Sequence, residues 1–264
     1  MTATLFSDLV ASLAPTEAGW AVTATDDWRQ GRTLYGGISA ALCLAAAQRT
    51  FPETPPLRSA QISFIGPAVG PVELRPALLR QGKSAAFVGC DLLSEGQIGT
   101  RAVFCFGGVR PSAYARSAPP APQDIPPPDE CEAYFSTDAG PAFRRHFDLR
   151  LARGGRPYSG AEPDIWLWAR HTDTAAPADA VALLALADAP PPAAMSEFSA
   201  MALISSMTWM VDVLDAAGMA TPGWKLLRST AETNAEGYSA QAMTIWGEDG
   251  RALVAGRQSV AVFG

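Results

Sequence analysis

The sequence predicts an α+β protein in which one unit, an antiparallel sheet curled around a buried helix, occurs twice. Three observations support this prediction: an almost uncharged helix near the start, two similar hairpin segments separated by a little over half the chain, and a proline-rich stretch between them. The chain has 264 residues, of which 48% are hydrophobic, so it can form one large domain or two small ones.

Composition and charge exclude several classes of protein. A formal net charge of −6 argues against a nucleic-acid-binding surface. No apolar run reaches the ~20 residues of a membrane span, and the N-terminal residues lack the basic segment of a signal peptide, so we expect a cytoplasmic protein. The cysteines show no metal-ligand spacing, so we expect free thiols in a reducing compartment and no metal site. They are Cys43, Cys90, Cys105 and Cys131.

The segment 33–50, TLYGGISAALCLAAAQRT, is predicted to be a helix that is buried on all sides. It carries no charge between Tyr35 and Gln48, whereas a surface helix has a charged face. Its many alanines keep it thin enough for a sheet to wrap closely around it. They are Ala40, Ala41, Ala45, Ala46 and Ala47.

Two segments, 80–108 and 234–264, share one pattern. Each begins with a polar loop and Gly-x-Ser-Ala, continues as an alternating strand, turns at an acidic residue followed by glycine, and ends in a second alternating strand. The acidic-glycine pairs, Glu95–Gly96 and Asp249–Gly250, favour hairpin turns because glycine supplies the positive φ that such turns require. This repetition indicates duplication of one unit.

The other predicted elements follow the same order in both halves: strand, buried helix, then a run of antiparallel strands. An antiparallel sheet with one apolar face needs a cover, and a helix of small residues lets the sheet curl tightly around it. The predicted segments are 19–25, 33–50, 57–68 and 70–82 in the first half, and 143–154, 164–171, 178–189, 201–214 and 224–232 in the second.

Residues 110–130 are too rich in proline for a helix or a strand and are predicted to be a linker. The predicted organisation is therefore an N-terminal domain at 1–109, a linker at 110–130 and a C-terminal domain at 131–264.

The order and spacing of these motifs resemble the double-hotdog acyl-CoA thioesterases of the thioesterase II type. The resemblance rests on LYGGISAAL, SFIGPA, LRQGKSAAFV and LVAGRQSVAVFG, and it covers nearly the whole chain except the linker and the extreme N-terminus. It implies a double hotdog with two antiparallel sheets, each wrapped around a central, mostly apolar helix. It also implies hydrolysis of an acyl-CoA to free acid and CoA, without a metal or another cofactor.

The active site of that family uses an aspartate, a glutamine and a threonine to position the attacking water. The resemblance places the aspartate at Asp188, in LLALADAPPP, and the glutamine at Gln258, in AGRQSV. The threonine has no counterpart, because its place in MALISSMTWMV falls on Ile204 or a neighbouring serine. We take Ser206 as the catalytic hydroxyl, with Ser205 as the alternative.

Gly36 and Gly37 are candidate substrate-binding residues. They open the first buried helix, whose free N–H groups at the positive end suit a thioester carbonyl or a phosphate oxygen, and the missing side chains permit close approach. Tight packing at a strand-to-helix turn is the other interpretation of this glycine pair, and both can hold together.

The residues themselves give reasons for the proposed roles. Asp188 is the only charge between Val181 and Pro192, and it lies near a helix C-terminus, where the dipole disfavours a carboxylate by ~0.3–1 kcal/mol. Burial and this dipole are expected to raise its pKa and make it a general base nearer neutral pH. The amide of Gln258 can accept from water and donate to a carboxylate at once. The alternatives are a solvated loop aspartate and an outward-facing strand glutamine.

Two other enzyme classes fit the sequence less well. GGISA has the form of a nucleophile elbow at Ser39, but it occurs before the strands that would build an α/β-hydrolase sheet. Neither histidine, His146 or His171, is placed in the sequence to act as a base for that serine. Neither lies near a predicted buried helix, which argues against a hotdog dehydratase or hydratase. A non-catalytic acyl- or acyl-CoA-binding protein with a degenerate site remains the alternative, because the threonine is missing.

The expected mechanism has Asp188 take a proton from water held by Gln258 and a nearby serine, while backbone N–H groups stabilise the oxyanion. The expected partner is an acyl-CoA substrate, with no nucleic acid and no membrane span. Exposed edges of the two half-sheets predict pairing into a homodimer or a higher homo-oligomer.

Overall fold

The computed structural model describes residues 3–135 and 140–263. Its regular structure is mostly long antiparallel strands, with two buried helices among them. The helices are α1 (Phe6–Ala11), α2 (Gly36–Thr50) and α3 (Ala180–Ala187). The strands are β1 (Ala14–Thr16), β2 (Gly19–Thr23), β3 (Arg29–Gln30), β4 (Thr33–Leu34), β5 (Leu57–Phe64), β6 (Pro71–Gln81), β7 (Ala85–Ser94), β8 (Gln97–Gly107), β9 (Glu132–Ala133), β10 (Phe147–Arg153), β11 (Asp164–His171), β12 (Leu203–Val213), β13 (Lys225–Ala235), β14 (Tyr238–Gly247) and β15 (Ala252–Phe263).

Thirteen of these strands form one continuous sheet, in the order β1-β2-β6-β7-β8-β5-β12-β15-β14-β13-β11-β10-β9. The two halves are joined at β5 and β12, which pair from Ser63 with Thr208 to Ser59 with Asp212. This differs from the expected two separate sheets, because each half uses the other's edge strand to satisfy its backbone hydrogen bonds. One edge of each half-sheet, which the expected oligomer would have used, is therefore paired within the chain. The outermost strands, β1 and β9, have only three and two residues.

The strand order is mirrored about the β5–β12 junction, as duplication of one unit predicts. Bulges occur at corresponding points of three strands in each half. Because an extra residue changes the face on which the following side chains lie, matched bulges give both halves the same set of inward-facing positions. The unpaired residues are Arg58, Leu79 and Gly99 in the first half, and Met207, Glu232 and Leu253 in the second.

Helix α2 is buried along most of its length, as its lack of charge predicts. Ile38, Leu42 and Leu44 have no exposed surface. Alanine has the highest helix propensity and the smallest side chain that a helix tolerates well, so α2 forms readily and the sheet approaches it closely. The five alanines are at most 4% exposed: Ala40, Ala41, Ala45, Ala46 and Ala47.

Helix α3 is shorter and packs against α2. Its N-cap residue, Asp179, accepts a hydrogen bond from the backbone N–H of Ala182 at 2.8 Å. The helix stops at Ala187, before three consecutive prolines that cannot continue it. Among the described residues, no helix is long and apolar enough to cross a membrane.

The segment 110–127 contains no helix or strand and lies against the outer face of the second half of the sheet. The carbonyl of Pro119 accepts from Trp246 Nε1 at 3.2 Å, and that of Pro126 accepts from Trp168 Nε1 at 2.8 Å. The proline-rich segment therefore covers indole side chains that face away from α3.

Replacing Ala41 with leucine is expected to lower the free energy of unfolding by about 1–3 kcal/mol, because the added carbon atoms have to enter a fully enclosed position. Gln48→Leu, at a half-buried position of the same helix, is the control and should change stability by less than about 0.5 kcal/mol. Denaturant titrations measure both values. Equal losses for the two variants would contradict the close wrap around α2.

Candidate active site

The N-terminus of α2 meets the C-terminus of α3 on the inner side of the curled sheet. Tyr35, the N-cap residue of α2, is fully buried, and its hydroxyl donates to the carbonyl of Ala185 in α3 at 2.7 Å. Its ring stacks on Phe143, with ring centroids 4.0 Å apart. These contacts hold the two helix ends together and so bring residues of both halves into one site.

Gly36 and Gly37 lie at this meeting point, where there is no space for side chains. A Cβ atom on Gly36 would lie 2.7 Å from Asp188 Oδ2 and 3.0 Å from the ring of Phe64. A Cβ atom on Gly37 would lie 2.6 Å from the carbonyl oxygen of Ala185. The backbone N–H of Gly37 donates to the Asp188 carboxylate. The glycine pair therefore permits both close helix packing and direct approach to a carboxylate.

Asp188 directly follows α3, and Gln258 lies on β15 opposite Trp209 of β12. Gln258 Nε2 donates to Asp188 Oδ1 at 2.5 Å. Gln258 is 4% exposed, whereas Asp188 is half-buried and its carboxyl group is the enclosed part, beside Gln258, Gly36 and Gly37. The structure thus brings the predicted aspartate, glutamine and glycine pair into contact.

Burial raises the pKa of Asp188 from 3.8 to about 7, and the hydrogen bonds from Gln258 and from the Gly37 backbone lower it by less than burial raises it. Burial, with a smaller contribution from the Asp188 charge, also raises the pKa of Tyr35 well above its usual value, so its hydroxyl remains a donor. A carboxyl group that titrates near neutral pH can both take up and release a proton under physiological conditions.

Ser206 lies on β12, is half-buried and shares the inner face of the sheet with Gln258. The bulge at Met207 separates it from Trp209, the residue directly opposite Gln258. Among the hydrogen bonds of the described residues, none joins Ser206 to the Asp188–Gln258 pair. The predicted hydroxyl therefore lies on the inner face of the sheet without a hydrogen bond to the acid.

Ser39 and the two histidines do not form a nucleophile–base pair. Ser39 is buried, and its Oγ donates to the carbonyl of Tyr35 at 3.2 Å. The ring of His146 stacks on Trp28, with centroids 3.7 Å apart, and His171 Nε2 donates to a carbonyl of α3 at 2.9 Å. Neither histidine hydrogen-bonds to Ser39, as expected for a chain that is not a serine hydrolase. The expectation that no histidine lies near a buried helix was wrong, because His171 contacts α3.

Sequence reasoning missed Gln241 and Tyr35. Gln241 lies on β14 opposite Gln258, is 2% exposed and donates from Nε2 to Gln258 Oε1 at 2.7 Å. The segment YSAQAMTIW contains a signal for it, because Gln241 alternates with Met243 and Ile245 along the strand. All three side chains therefore lie on the same, buried face. No spacing indicates that Tyr35 reaches α3.

A separate cavity of about 160 Å³ lies along α3 towards its N-terminus. Ala182, Leu186 and Lys225 are among its lining residues, whereas Asp188, Gln258 and the glycine pair are not. It is therefore not part of the site described above.

Two family models match the chain. The acyl-CoA thioesterase N-terminal domain matches residues 24–107, and the acyl-CoA thioesterase C-terminal domain matches residues 119–262. Because these matches span most of the sequence, the chain belongs to the acyl-CoA thioesterase family and is a thioester hydrolase. Among curated proteins, none matches the chain.

Solved structures show the same fold. A hot dog protein of unknown function from Alicyclobacillus acidocaldarius has a TM-score of 0.87 at 23% identity, with 97% of each chain covered. A provisionally assigned thioesterase II from Thermobifida fusca has a TM-score of 0.83 at 22% identity, covering 100% of this chain and 99% of that one. The acyl-CoA thioesterase II TesB2 from Mycobacterium marinum has a TM-score of 0.75 at 16% identity, covering 97% and 98%. These similarities establish the hot dog fold.

The two glycines are expected to respond differently to alanine. Gly37→Ala presses a Cβ atom against a backbone carbonyl and a packed tyrosine, so it should lower the free energy of unfolding by about 1–3 kcal/mol. Gly36→Ala presses on Asp188 Oδ2 and the ring of Phe64, which are side-chain rather than backbone atoms, so its effect on stability should be smaller. Denaturant titrations compare the two variants. A larger loss for Gly36→Ala would contradict the described packing.

Asp188→Asn is expected to remove a pH-dependent part of the stability. Because folding raises the pKa of Asp188 from 3.8 to about 7, its contribution is fully present below about pH 4 and is lost as the pH rises to 7, by up to about 4 kcal/mol. The Tm of the wild type should therefore fall over this range by more than that of Asp188→Asn. Asp212→Asn, at an exposed aspartate, is the matched control and should follow the wild type. Identical profiles for all three proteins would show that residue 188 is not buried as described.

Proposed function

We propose that this enzyme hydrolyses acyl-CoA thioesters by means of a water molecule that Asp188 activates. The observation that carries the proposal is the enclosed carboxyl group of Asp188, which Gln258 holds beside the glycine-rich start of α2. Membership of the acyl-CoA thioesterase family supports the reaction class and the substrate class. The raised pKa of Asp188 supports its role as a general base.

In the proposed reaction, Asp188 takes a proton from water while the water oxygen bonds to the thioester carbonyl carbon. The tetrahedral intermediate then breaks its carbon–sulfur bond, and the proton held by Asp188 passes to the departing sulfur of CoA. The products are a free acid and a thiol, and Asp188 returns to its carboxylate form. Gln258 keeps one carboxylate oxygen in a fixed direction, so the other, Oδ2, is the one that faces Gly36 and the water.

We assign stabilisation of the oxyanion to the first turn of α2. The first N–H groups of a helix have no acceptor within the helix, and the helix dipole places positive charge there. Gly37 uses its N–H on Asp188, and the N–H of Ser39 donates to the carbonyl of Tyr35, so the N–H groups of Gly36 and Ile38 are the ones available to a carbonyl oxygen. Because Gly36 has no side chain, the start of the helix lies directly beside Asp188, so these N–H groups and the proposed base are close together.

We propose that Ser206 contributes its hydroxyl from the facing strand. It lies on the same inner face as Gln258 and remains partly accessible, so it can contact a water or a substrate oxygen that enters from the surface. Because it does not hold the acid directly, its removal should affect the rate less than the removal of Asp188.

The alternative is a protein that binds acyl-CoA without turnover. Two observations favour it. Trp209 occupies the β12 position opposite Gln258, and the Ser206 hydroxyl has no hydrogen bond to the acid. Such a protein would show ligand-dependent stabilisation without release of thiol.

Thiol release from a panel of acyl-CoAs tests the proposal. The wild type is expected to turn over, with kcat rising as the pH passes about 7, because the base must be ionised. Asp188→Asn should lower kcat by about 10²–10⁴-fold, whereas Asp212→Asn should not change it. Equal rates for the wild type and Asp188→Asn would rule out the mechanism. A rise in Tm with ligand, but no thiol from any acyl-CoA, would establish the binding protein instead.

A further inference from the structure

We propose that Gln241 is a positioning residue, which orients the amide of Gln258 towards Asp188 through a chain of hydrogen bonds that begins at the backbone N–H of Ala193. The inference rests on the proposed function and extends it to a residue that does not touch the reacting atoms. Three consecutive hydrogen bonds between buried groups carry the argument.

The chain runs in one direction. The N–H of Ala193 donates to Gln241 Oε1 at 2.9 Å, Gln241 Nε2 donates to Gln258 Oε1 at 2.7 Å, and Gln258 Nε2 donates to Asp188 Oδ1 at 2.5 Å. A backbone N–H can only donate, and an ionised carboxylate can only accept. The two ends therefore fix which way both glutamine amides face, and neither amide can turn over without breaking two hydrogen bonds.

The anchor of this chain belongs to the same segment as the acid. Ala193 is fully buried and lies at the start of a short 3₁₀ turn, Ala193–Ser196, that follows the prolines after Asp188. Proline has a fixed φ and no N–H, so this connection is stiff and offers no competing donor. The hydrogen bonds thus leave the 188–193 segment, cross β14 and β15, and return to it. This closed ring holds the end of α3 at a set distance from the sheet.

The first half of the chain shows that the fold does not need these amides. Its corresponding strand pair, β7 and β8, places Val88 opposite Phe104 at the positions of Gln241 and Gln258, and both are fully buried. Burial of an amide is unfavourable unless every polar atom is paired. Two buried glutamines therefore stabilise the core less than two apolar side chains would. Their presence in only the half that carries Asp188 points to a role at the acid.

Two substitutions separate positioning from packing. Gln241→Met keeps the length of the side chain but ends the directed chain, so Gln258 no longer presents its N–H reliably to Asp188. Gln241→Glu is the conservative variant: while protonated, its hydroxyl donates to Gln258 as the wild-type amide does. Once ionised, it can only accept, and it then competes with Asp188 for the N–H of Gln258.

The experiment measures kcat and KM across pH for the wild type, both variants, and Gln61→Met as a matched control at an exposed glutamine. Gln241→Met is expected to lower kcat at least about tenfold with little change in KM, and to move the rising limb of kcat to higher pH. Gln241→Glu should retain part of the activity near neutral pH and lose it again at higher pH, whereas the wild-type profile only rises. Added to Gln258→Met, the Gln241→Met substitution should have no further effect on kcat.

Full kcat in folded Gln241→Met, or an undiminished effect of this substitution in the Gln258→Met background, would overturn the proposal. If the wild type hydrolyses no acyl-CoA, the proposed function is wrong. The pH dependence of Tm then tests independently whether Gln241 positions Gln258. Gln241→Met should extend the Asp188-dependent fall in Tm to higher pH, and it should have no such effect in an Asp188→Asn background. An unchanged profile would contradict the positioning role without reference to activity.

Discussion

The structure depends on placing one carboxyl group where the ends of two buried helices meet. Asp188 at the end of α3 accepts from the backbone N–H of Gly37 in α2 and from Nε2 of Gln258, and Tyr35 ties the same two helix ends together. These donors reduce the free-energy cost of burying the carboxyl group, but they do not return its pKa to the ordinary value. The result is an acid that changes its protonation state near neutral pH. That property follows from the fold, since it needs a thin helix, two glycines and a sheet that encloses them.

The chain uses a duplicated backbone to build a single asymmetric site. Matched bulges give the two halves equivalent inward positions, but the residues at those positions differ. The second half carries Asp188, Gln241 and Gln258, and the first half supplies the glycine-rich helix start, so neither half contains a complete site. The pairing of β5 with β12 fixes the two halves relative to each other and is therefore part of the site's construction.

Much of this arrangement could be predicted from the sequence, because its signals are local. Absence of charge indicated the burial of α2, acidic-glycine pairs indicated the hairpins, and the resemblance indicated Asp188 and Gln258. Other features depend on contacts between distant segments, for which a single sequence has no local pattern. The joined sheet follows from how two edges meet, and the bond from Tyr35 to Ala185 spans 150 positions. Gln241 was missed because a buried glutamine on an alternating strand has the same spacing as an apolar residue.

The carboxyl ¹³C resonance of Asp188, followed through a pH titration of the wild-type protein, tests this account most directly because it observes the buried group itself. We expect a midpoint at about 7, with the side-chain amide of Gln258 shifting in step with the carboxyl signal. A midpoint close to the ordinary value of 3.8 would mean that water reaches the group freely, and the structural basis for a neutral-pH base would be lost.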